Sequence, residues 1–317
     1  MKAAVINAAG GPDVFQFETV PDPQPGDTDV LVRVEAISIE GGDLADRREG
    51  RTLYPAVMGY AAAGTIVKLG RAVNGFRIGQ KVTTFAFGGS HAELRIAPAA
   101  TTFAVPDGMD MGVAAAIPCG PGTAALALNL GRLKPDDTVL ITGATGGVGS
   151  AAVQIAAAKG ARVIGTARSL KSLEQLKKLG LSDAIVSGGT PLNERVVSIC
   201  GRGADLLIDT VGGRALTDGL IALADGGRAV MVGVIGCFNT PIDTGHLLMH
   251  RLTVTGCFMG PIMTLPDTRR LIEDLIQDCA EGRLTVPVDE TFNLAEMPDA
   301  HRRAELAGRL GRVIVTV

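Results

Sequence analysis

The chain has 317 residues, 46% of them hydrophobic and 20% charged, with a formal net charge of −3. That length allows about two domains and a core large enough to need no covalent staple. The charge balance, the absence of tryptophan and an aromatic content of 3% exclude a nucleic-acid surface built from basic patches and stacking rings, and no apolar run reaches the ~18 residues of a membrane span.

The opening MKAAVINAAGGPD has an apolar run that Gly10, Gly11 and Pro12 interrupt, which reads as a first strand and turn rather than a signal peptide. Through about residue 115 the pattern is β-rich. Val30, Val32, Val34 and Ala36 alternate with Leu31, Arg33 and Glu35, and short runs follow at Ala63–Val67, Lys81–Phe85 and His91–Ile96. Gly and Pro separate these runs, so a compact barrel-like domain is expected.

From about Cys119 strands alternate with helices. Strands read at 139–142, 162–166, 184–186, 206–209, 228–232 and 253–256, with helices at Leu170–Leu179, Leu192–Cys200 and Ala215–Leu223. Such alternation predicts a doubly wound parallel sheet. A helix at Thr268–Glu281 carries the stripe Leu271, Ile272, Leu275, Ile276 and Cys279 and stops at Gly282. A second helix at about Pro298–Ala307 and a last strand at Val313–Val317 complete the chain. The fold class is therefore α/β: a β-rich domain of residues 1–118 and 261–317, and a doubly wound domain of residues 119–260.

The stretch with the clearest chemistry is Val139–Ala158. A buried strand, Val139–Thr142, runs into Gly143, Gly146, Gly147 and Gly149, and then into a helix with Val148, Ala152, Ile155 and Ala156 on one face. Strand, glycine turn and helix in that order let backbone N–H groups approach a pyrophosphate, with the helix N-terminus behind them; a tight turn without a ligand is the plainer reading. After the second strand, an NAD-binding fold would carry an acidic residue for the ribose hydroxyls. This chain has Arg168, Ser169 and Lys171 there and no Asp or Glu. A guanidinium, a hydroxyl and an ammonium suit a 2′-phosphate and point to NADPH; alternatively Ser169 caps a helix and the two bases are solvated. The carboxyl ends of the later strands, Asp209–Gly212, Val232–Ile235 and Gly256–Gly260, carry glycines that permit close approach of a ligand, or simple turns.

The five cysteines include no CxxC pair, which argues against a disulfide framework and fits a reducing cytoplasm. The histidines are scattered; His246 and His250 are i, i+4 but have no acidic neighbour except Asp243, and are expected in a solvated or packed loop.

Taken together, MKAAVI…GGPDVF, GYAAAGTIVKLG at 59–70, Gly79-Gln80-Lys81-Val82, Gly88–Glu93, GATGGVG and the closing FNLAEMPDAHRRAELAGRLGRVIVTV resemble the zinc-independent medium-chain dehydrogenase/reductases, in the quinone oxidoreductase (zeta-crystallin-like) branch. The resemblance covers essentially the whole chain. It implies a GroES-like catalytic domain beside a Rossmann domain, NADPH in the cleft between them, hydride transfer to quinones or α,β-unsaturated carbonyls, and a homodimer joined through the last Rossmann strand at about Thr253–Gly256. By position, Gly146, Gly147, Val148 and Gly149 should touch the pyrophosphate, and Arg168, Ser169 and Lys171 the 2′-phosphate. Thr123, Val232, Gly233, Val234, Ile235, Phe258, Met259 and Gly260 should line the nicotinamide side. Zinc-using relatives place Cys, His and Cys where this chain has Glu40, Tyr60 and Cys119, so no metal is expected, and Cys119 reads as a small buried hydrophobe. Quinone reductases of the family often have Asn and Tyr at the positions of Glu40 and Ala45. Tyr60 is a candidate substrate contact or proton donor, or a packed core ring. Glu40 could orient substrate or relay a proton, or pair with Arg47 or another base; Asp43 and Arg47 read as structural. An enoyl-thioester reductase and a non-catalytic NADPH-binding protein are the alternatives.

Overall fold

The computed structural model describes residues 1–50 and 52–317. In chain order the elements are β1 (Lys2–Ile6), β2 (Phe15–Thr19), β3 (Asp29–Ser38), α1 (Gly41–Glu49), β4 (Ala56–Val57), β5 (Ala61–Leu69), β6 (Lys81–Phe85), β7 (Leu94–Pro98), β8 (Thr102–Ala104), α2 (Met111–Ala116) and α3 (Gly120–Leu130). There follow β9 (Thr138–Thr142), α4 (Gly147–Ala158), β10 (Arg162–Ala167), α5 (Leu170–Lys177), β11 (Asp183–Val186), α6 (Leu192–Cys200), β12 (Ala204–Asp209), α7 (Arg214–Ile221), β13 (Leu223–Met231), α8 (Thr244–Met249) and β14 (Thr253–Gly256). The chain closes with α9 (Pro266–Ala280), β15 (Val288–Asn293), α10 (Met297–Glu305) and β16 (Arg312–Thr316).

These elements form two compact units: Met1–Gly122 with Gly260–Leu306 and Arg312–Val317, and Thr123–Met259 with Ala307–Gly311. In the first, a seven-stranded sheet runs β15-β16-β3-β5-β6-β8, with β7 also on β3, beside a three-stranded sheet β2-β1-β4. All pairs except β15 with β16 are antiparallel. The register shifts in β3 against β5 bend the long strand, as β-bulges do in barrel-like sheets. Its main apolar core joins Ile6, Phe15, Val34, Ile37 and Met58 to Met297 and Ala300 of α10.

In the second unit six parallel strands are ordered β11-β10-β9-β12-β13-β14. This is the doubly wound order, and it reverses between β9 and β12. The central strands are apolar on both sides because helices cover both faces. Val139, Ile141, Leu206 and Ile208 pack with α4 and α5, while Leu140, Ile164 and Leu207 pack with α6 and α7.

Several boundaries differ from the sequence expectation. Helix α4 begins at Gly147, inside the glycine run expected to be a turn, and α7 stops at Ile221 because Leu223 already belongs to β13. His246 lies on helix α8 and His250 is the residue that ends it, so the pair is not in a loop as expected; Asp243 caps that helix by accepting from the His246 N–H at 3.0 Å. His250 Nδ1 lies 2.7 Å from Asp225, a partner from another turn.

The start of α4 depends on Gly149. A Cβ there would lie 2.4 Å from the Gly143 carbonyl oxygen and 2.7 Å from Ala144 Cα, both backbone atoms. Gly149→Val must push the helix off the strand, at a cost of about 1–3 kcal/mol. We expect the melting temperature to fall by about 2–12 °C; an unchanged melting curve would show that the turn has room to give.

Candidate functional site

The carboxyl edge of the parallel sheet at β9 and β12 carries the glycine turn. Gly143 has φ +64°, a left-handed conformation that glycine adopts without penalty, and its Cα faces the Thr210 hydroxyl closely enough that a Cβ would lie 2.4 Å from it. Gly146 is the N-cap of α4 and no side chain caps the helix. Gly146, Gly147 and Val148 are half-exposed and Gly149 is buried, so the first turn presents backbone and not side chains, the condition for binding an anion there.

Across the switch point, Asp209 organises the loop. One carboxylate oxygen accepts the Thr142 hydroxyl and the other accepts the Gly212 N–H at 2.8 Å. Its backbone carbonyl takes the N–H of Val232 at 2.8 Å. Burial raises the pKa of this carboxyl, against the hydrogen bonds it accepts. Val232 and Gly233 are half-exposed, Val234 and Ile235 are exposed, and a Cβ on Gly233 would lie 2.0 Å from the Thr210 carbonyl. Thr123 is half-exposed and its carbonyl faces the Cys257 sulfur. Phe258 is exposed, whereas Met259 is buried. Gly260 falls in the other unit, where a Cβ would meet the Phe87 ring at 2.5 Å.

At the end of β10, Ser169 caps α5, accepting the Ser172 N–H at 3.3 Å. Arg168 and Lys171 are exposed. Neither makes an ion pair among the described residues. Two cations without carboxylate partners beside a helix N-terminus leave room for a phosphate.

In the first unit, Glu40, Tyr60 and Cys119 are each engaged by neighbouring groups. Glu40 is buried, accepts from the Ser38 hydroxyl at 2.8 Å and is paired with Arg312 Nη2 at 2.6 Å. Its partner is thus Arg312 and not Arg47, which pairs with Glu305. Tyr60 donates its hydroxyl to Asp46 at 2.5 Å. Its ring stands edge-on to Phe85 and Phe87 and lies over Gly42, where a Cβ would be 2.2 Å from the ring. Burial and the Asp46 carboxylate raise the phenol pKa above its ordinary value. Cys119 is half-buried, and burial together with Glu40 pushes its thiol up. A carboxylate already neutralised by Arg312, a phenol donating to Asp46 and a protonated thiol do not fit zinc, which binds deprotonated ligands with open lone pairs. Among the described residues no group of three or more His, Cys, Asp or Glu could hold a metal ion.

Asp43 holds these residues in place. Its two carboxylate oxygens accept the N–H of Glu40 at 2.8 Å and of Tyr60 at 3.0 Å. Arg95, fully buried, donates to the carbonyls of Tyr60 at 2.5 Å and Ala86 at 3.1 Å. Behind Asp43, His91 Nε2 lies 3.9 Å away, and the His91 and His301 rings meet edge to face at 5.1 Å. The nitrogens of both rings are buried with no hydrogen-bond partner among the described residues. The sequence did not single out Arg312, Asp46 or Arg95 as site residues. The available signal was an arginine inside an apolar strand, in RVIVT and LRIAP, which is tolerated in a core only with partners.

Burying the Glu40–Arg312 pair makes it costly to break. Arg312→Met leaves a buried carboxylate and should lower the unfolding free energy by about 3–5 kcal/mol, and adding Glu40→Gln should recover much of that loss in denaturant titrations. If the double variant is no more stable than the single one, the ion pair is not the reason. A second prediction concerns pH. Burial pushes the Asp43 carboxyl up to about 8, so the folded chain keeps a proton that the unfolded chain releases near pH 4. The stabilisation is complete below about pH 4 and is lost as pH rises through about 8. Burial pushes His91 down to about 3, which has the opposite sign but acts only below about pH 6.5. Between about pH 6.5 and 8 the unfolding free energy should therefore fall by about 1–2 kcal/mol, and Asp43→Asn should abolish that fall in urea titrations.

Comparison with known proteins agrees with both units. The zinc-binding dehydrogenase family matches residues 147–274 and the alcohol dehydrogenase GroES-like domain matches residues 26–107. An acryloyl-coenzyme A reductase of Sulfurisphaera tokodaii is 27% identical over 99% of this chain and 99% of its own. Quinone oxidoreductase of Sus scrofa is 32% identical over 77% of each chain. The crystal structure of Escherichia coli quinone oxidoreductase complexed with NADPH covers 100% of both chains with a TM-score of 0.92 and 25% identity. The chain belongs to the medium-chain dehydrogenase/reductase family, in its quinone oxidoreductase branch.

Proposed function

We propose that this protein is an NADPH-dependent oxidoreductase that transfers a hydride, without a metal, to quinones or α,β-unsaturated carbonyl compounds. The observation that carries the reading is the pairing of an uncapped, glycine-lined helix start with two exposed cations at the end of the second strand. In this reading Gly146 to Gly149 hold the pyrophosphate through backbone N–H groups, Arg168, Ser169 and Lys171 hold the 2′-phosphate, and Thr123, Val232 to Ile235 and Phe258 to Gly260 face the nicotinamide. Bound NADPH supplies the hydride, and the acceptor's conjugated electrons move onto an oxygen that then takes a proton.

The two residues read as catalytic take different parts. Glu40 acts by position: its ion pair with Arg312 and its hydrogen bond from Ser38 keep the start of α1 in place. Tyr60 offers a ring beside Phe85 and Phe87, while its hydroxyl stays with Asp46; solvent delivers the proton. Five free cysteines suit a reducing cytoplasm, and no helix among the described residues is long and apolar enough to cross a membrane. Among the described residues strand β14 ends the parallel sheet with one side unpaired, and we place a second copy of the chain there.

A second reading has its own support. Two acryloyl-coenzyme A reductases align over 99% and 100% of this chain, and the same chemistry would serve an enoyl thioester.

Purified protein at about 1 μM should consume NADPH with a panel of quinones and enones, followed at 340 nm, at turnover of ~1–10³ s⁻¹. Crotonyl thioesters turned over far faster than every quinone would select the second reading, and no turnover of any acceptor would end both. Lys171→Ala should raise the KM for NADPH about tenfold or more and leave NADH use nearly unchanged. Tyr60→Phe should change kcat by less than about tenfold; a loss of ~10²-fold would restore Tyr60 as the proton donor.

A further inference from the structure

Three segments of the first unit bring buried polar groups together behind Asp43. Helix α1 carries Asp43 and Arg47, Ser90 and His91 stand just before β7, and α10 carries His301. All five residues are buried. Arg47 Nη1, Ser90 Oγ and both ring nitrogens of His91 and of His301 have no hydrogen-bond partner among the described residues. Proteins rarely leave buried polar atoms so, and here the unpaired ones are neighbours.

The geometry keeps these groups from satisfying one another. The His91 and His301 rings stand edge to face, with centroids 5.1 Å apart and planes at 82°. Imidazole donates and accepts in its own plane, so rings crossed in this way do not bond nitrogen to nitrogen. Phe15 leans on both rings, at 5.8 and 4.6 Å, and offers no polar atom. Asp43 Oδ2 lies 3.9 Å from His91 Nε2, beyond a hydrogen bond. A Cβ on Gly59 would lie 1.9 Å from Ser90 Oγ and 2.7 Å from His91 Nε2, so these two atoms converge beside a residue with no side chain to serve them.

The chemistry of the missing partner follows from the charges around it. Burial holds both histidines neutral, His91 down to about 3 and His301 well below its ordinary value. Each ring therefore has one N–H to donate and one bare nitrogen to accept. A cation would be repelled by Arg47 and Arg95, whose charges already help keep the two rings neutral. An anion would lie beside Asp43. A small neutral molecule that both donates and accepts meets the need, and water does so in most protein cores.

We infer that one or more internal waters bridge the rings of His91 and His301, with Ser90, Arg47 and Asp43 as their further partners. Such a site ties α1, the segment before β7 and α10 together behind the carboxylate that holds the N–H groups of Glu40 and Tyr60. It is independent of which cofactor or acceptor the protein uses.

Two measurements on the full chain test this. Crystals diffracting well enough to show ordered solvent should hold density within about 3.2 Å of a nitrogen of each ring. Magnetic relaxation dispersion of water deuterons, which counts long-lived internal waters, should show at least one fewer in His301→Leu than in the wild type. Solvent density at one ring only or at neither overturns the inference, as does a direct bond from His91 to Asp43 or His301 in its place. A folded His301→Leu with the wild-type dispersion amplitude also overturns it. Should His301→Leu fail to fold, His301→Phe keeps a ring in that position and the same two amplitudes decide, while the wild-type density stands as a test by itself.

Discussion

Helix α4 can start where it does only because two pieces of backbone touch. The Cα of Gly149 sits against the Gly143 carbonyl with no space for a side chain, and that approach brings the uncapped first turn to the carboxyl edge of β9. The rest of the edge is built around it. Thr210 fills the space beside Gly143 and donates its hydroxyl to the Thr142 carbonyl at 2.8 Å, and Asp209 ties Thr142 to Gly212. Gly311 donates its N–H to the Thr145 carbonyl, inside the same turn. Each contact is a backbone or short polar group, so the turn is braced from several sides. In the proposed reading, donors braced in this way would need little ordering to bind a phosphate.

In the first unit the side chains at the positions of Glu40 and Tyr60 are already engaged by others. Arg312 brings a positive charge to Glu40, and Asp46 takes the hydroxyl of Tyr60. A divalent cation on the Glu40 carboxylate would then face a guanidinium 2.6 Å from the same group, a repulsion that a buried setting strengthens. Asp43 keeps its place in this arrangement because it serves the backbone: it holds the N–H groups of Glu40 and Tyr60 whatever side chains those residues carry.

The alternation of strands and helices was legible because the two periods differ and the central strands are wholly apolar. Every sheet strand expected from residue 139 to residue 256 corresponds to one in the structure. The errors have physical causes. Glycine disfavours helix interiors, so Gly147 and Gly149 read as turn, whereas the close approach at Gly149 makes them helical. Helix α8 has only six residues, one of them Gly245; too short for a period to show, it is set by the Asp243 cap. In the site, chemistry that depends on local order was legible: the glycine turn and the basic residues after β10 lie within one βαβ unit. Pairings between distant segments were not. Glu40 with Arg312, and Ser172 with Gly308, join parts of the chain that no spacing rule connects.

Within the proposed reaction, the environment of Tyr60 limits which acceptors can be used. A phenol that already donates to a carboxylate is a poor acid, since giving up its proton would place two anions side by side. With Glu40 neutralised by Arg312 and the Cys119 thiol pushed up, the first unit offers no strong acid or Lewis acid at these positions to meet a localised alkoxide. Charge arriving on the acceptor must therefore be stabilised by the acceptor itself until solvent protonates it. Quinones, enones and enoyl thioesters spread that charge over a conjugated system; a simple ketone does not. In the proposed reaction, the hydrogen bond between Tyr60 and Asp46 and the ion pair between Glu40 and Arg312 favour acceptors of that kind.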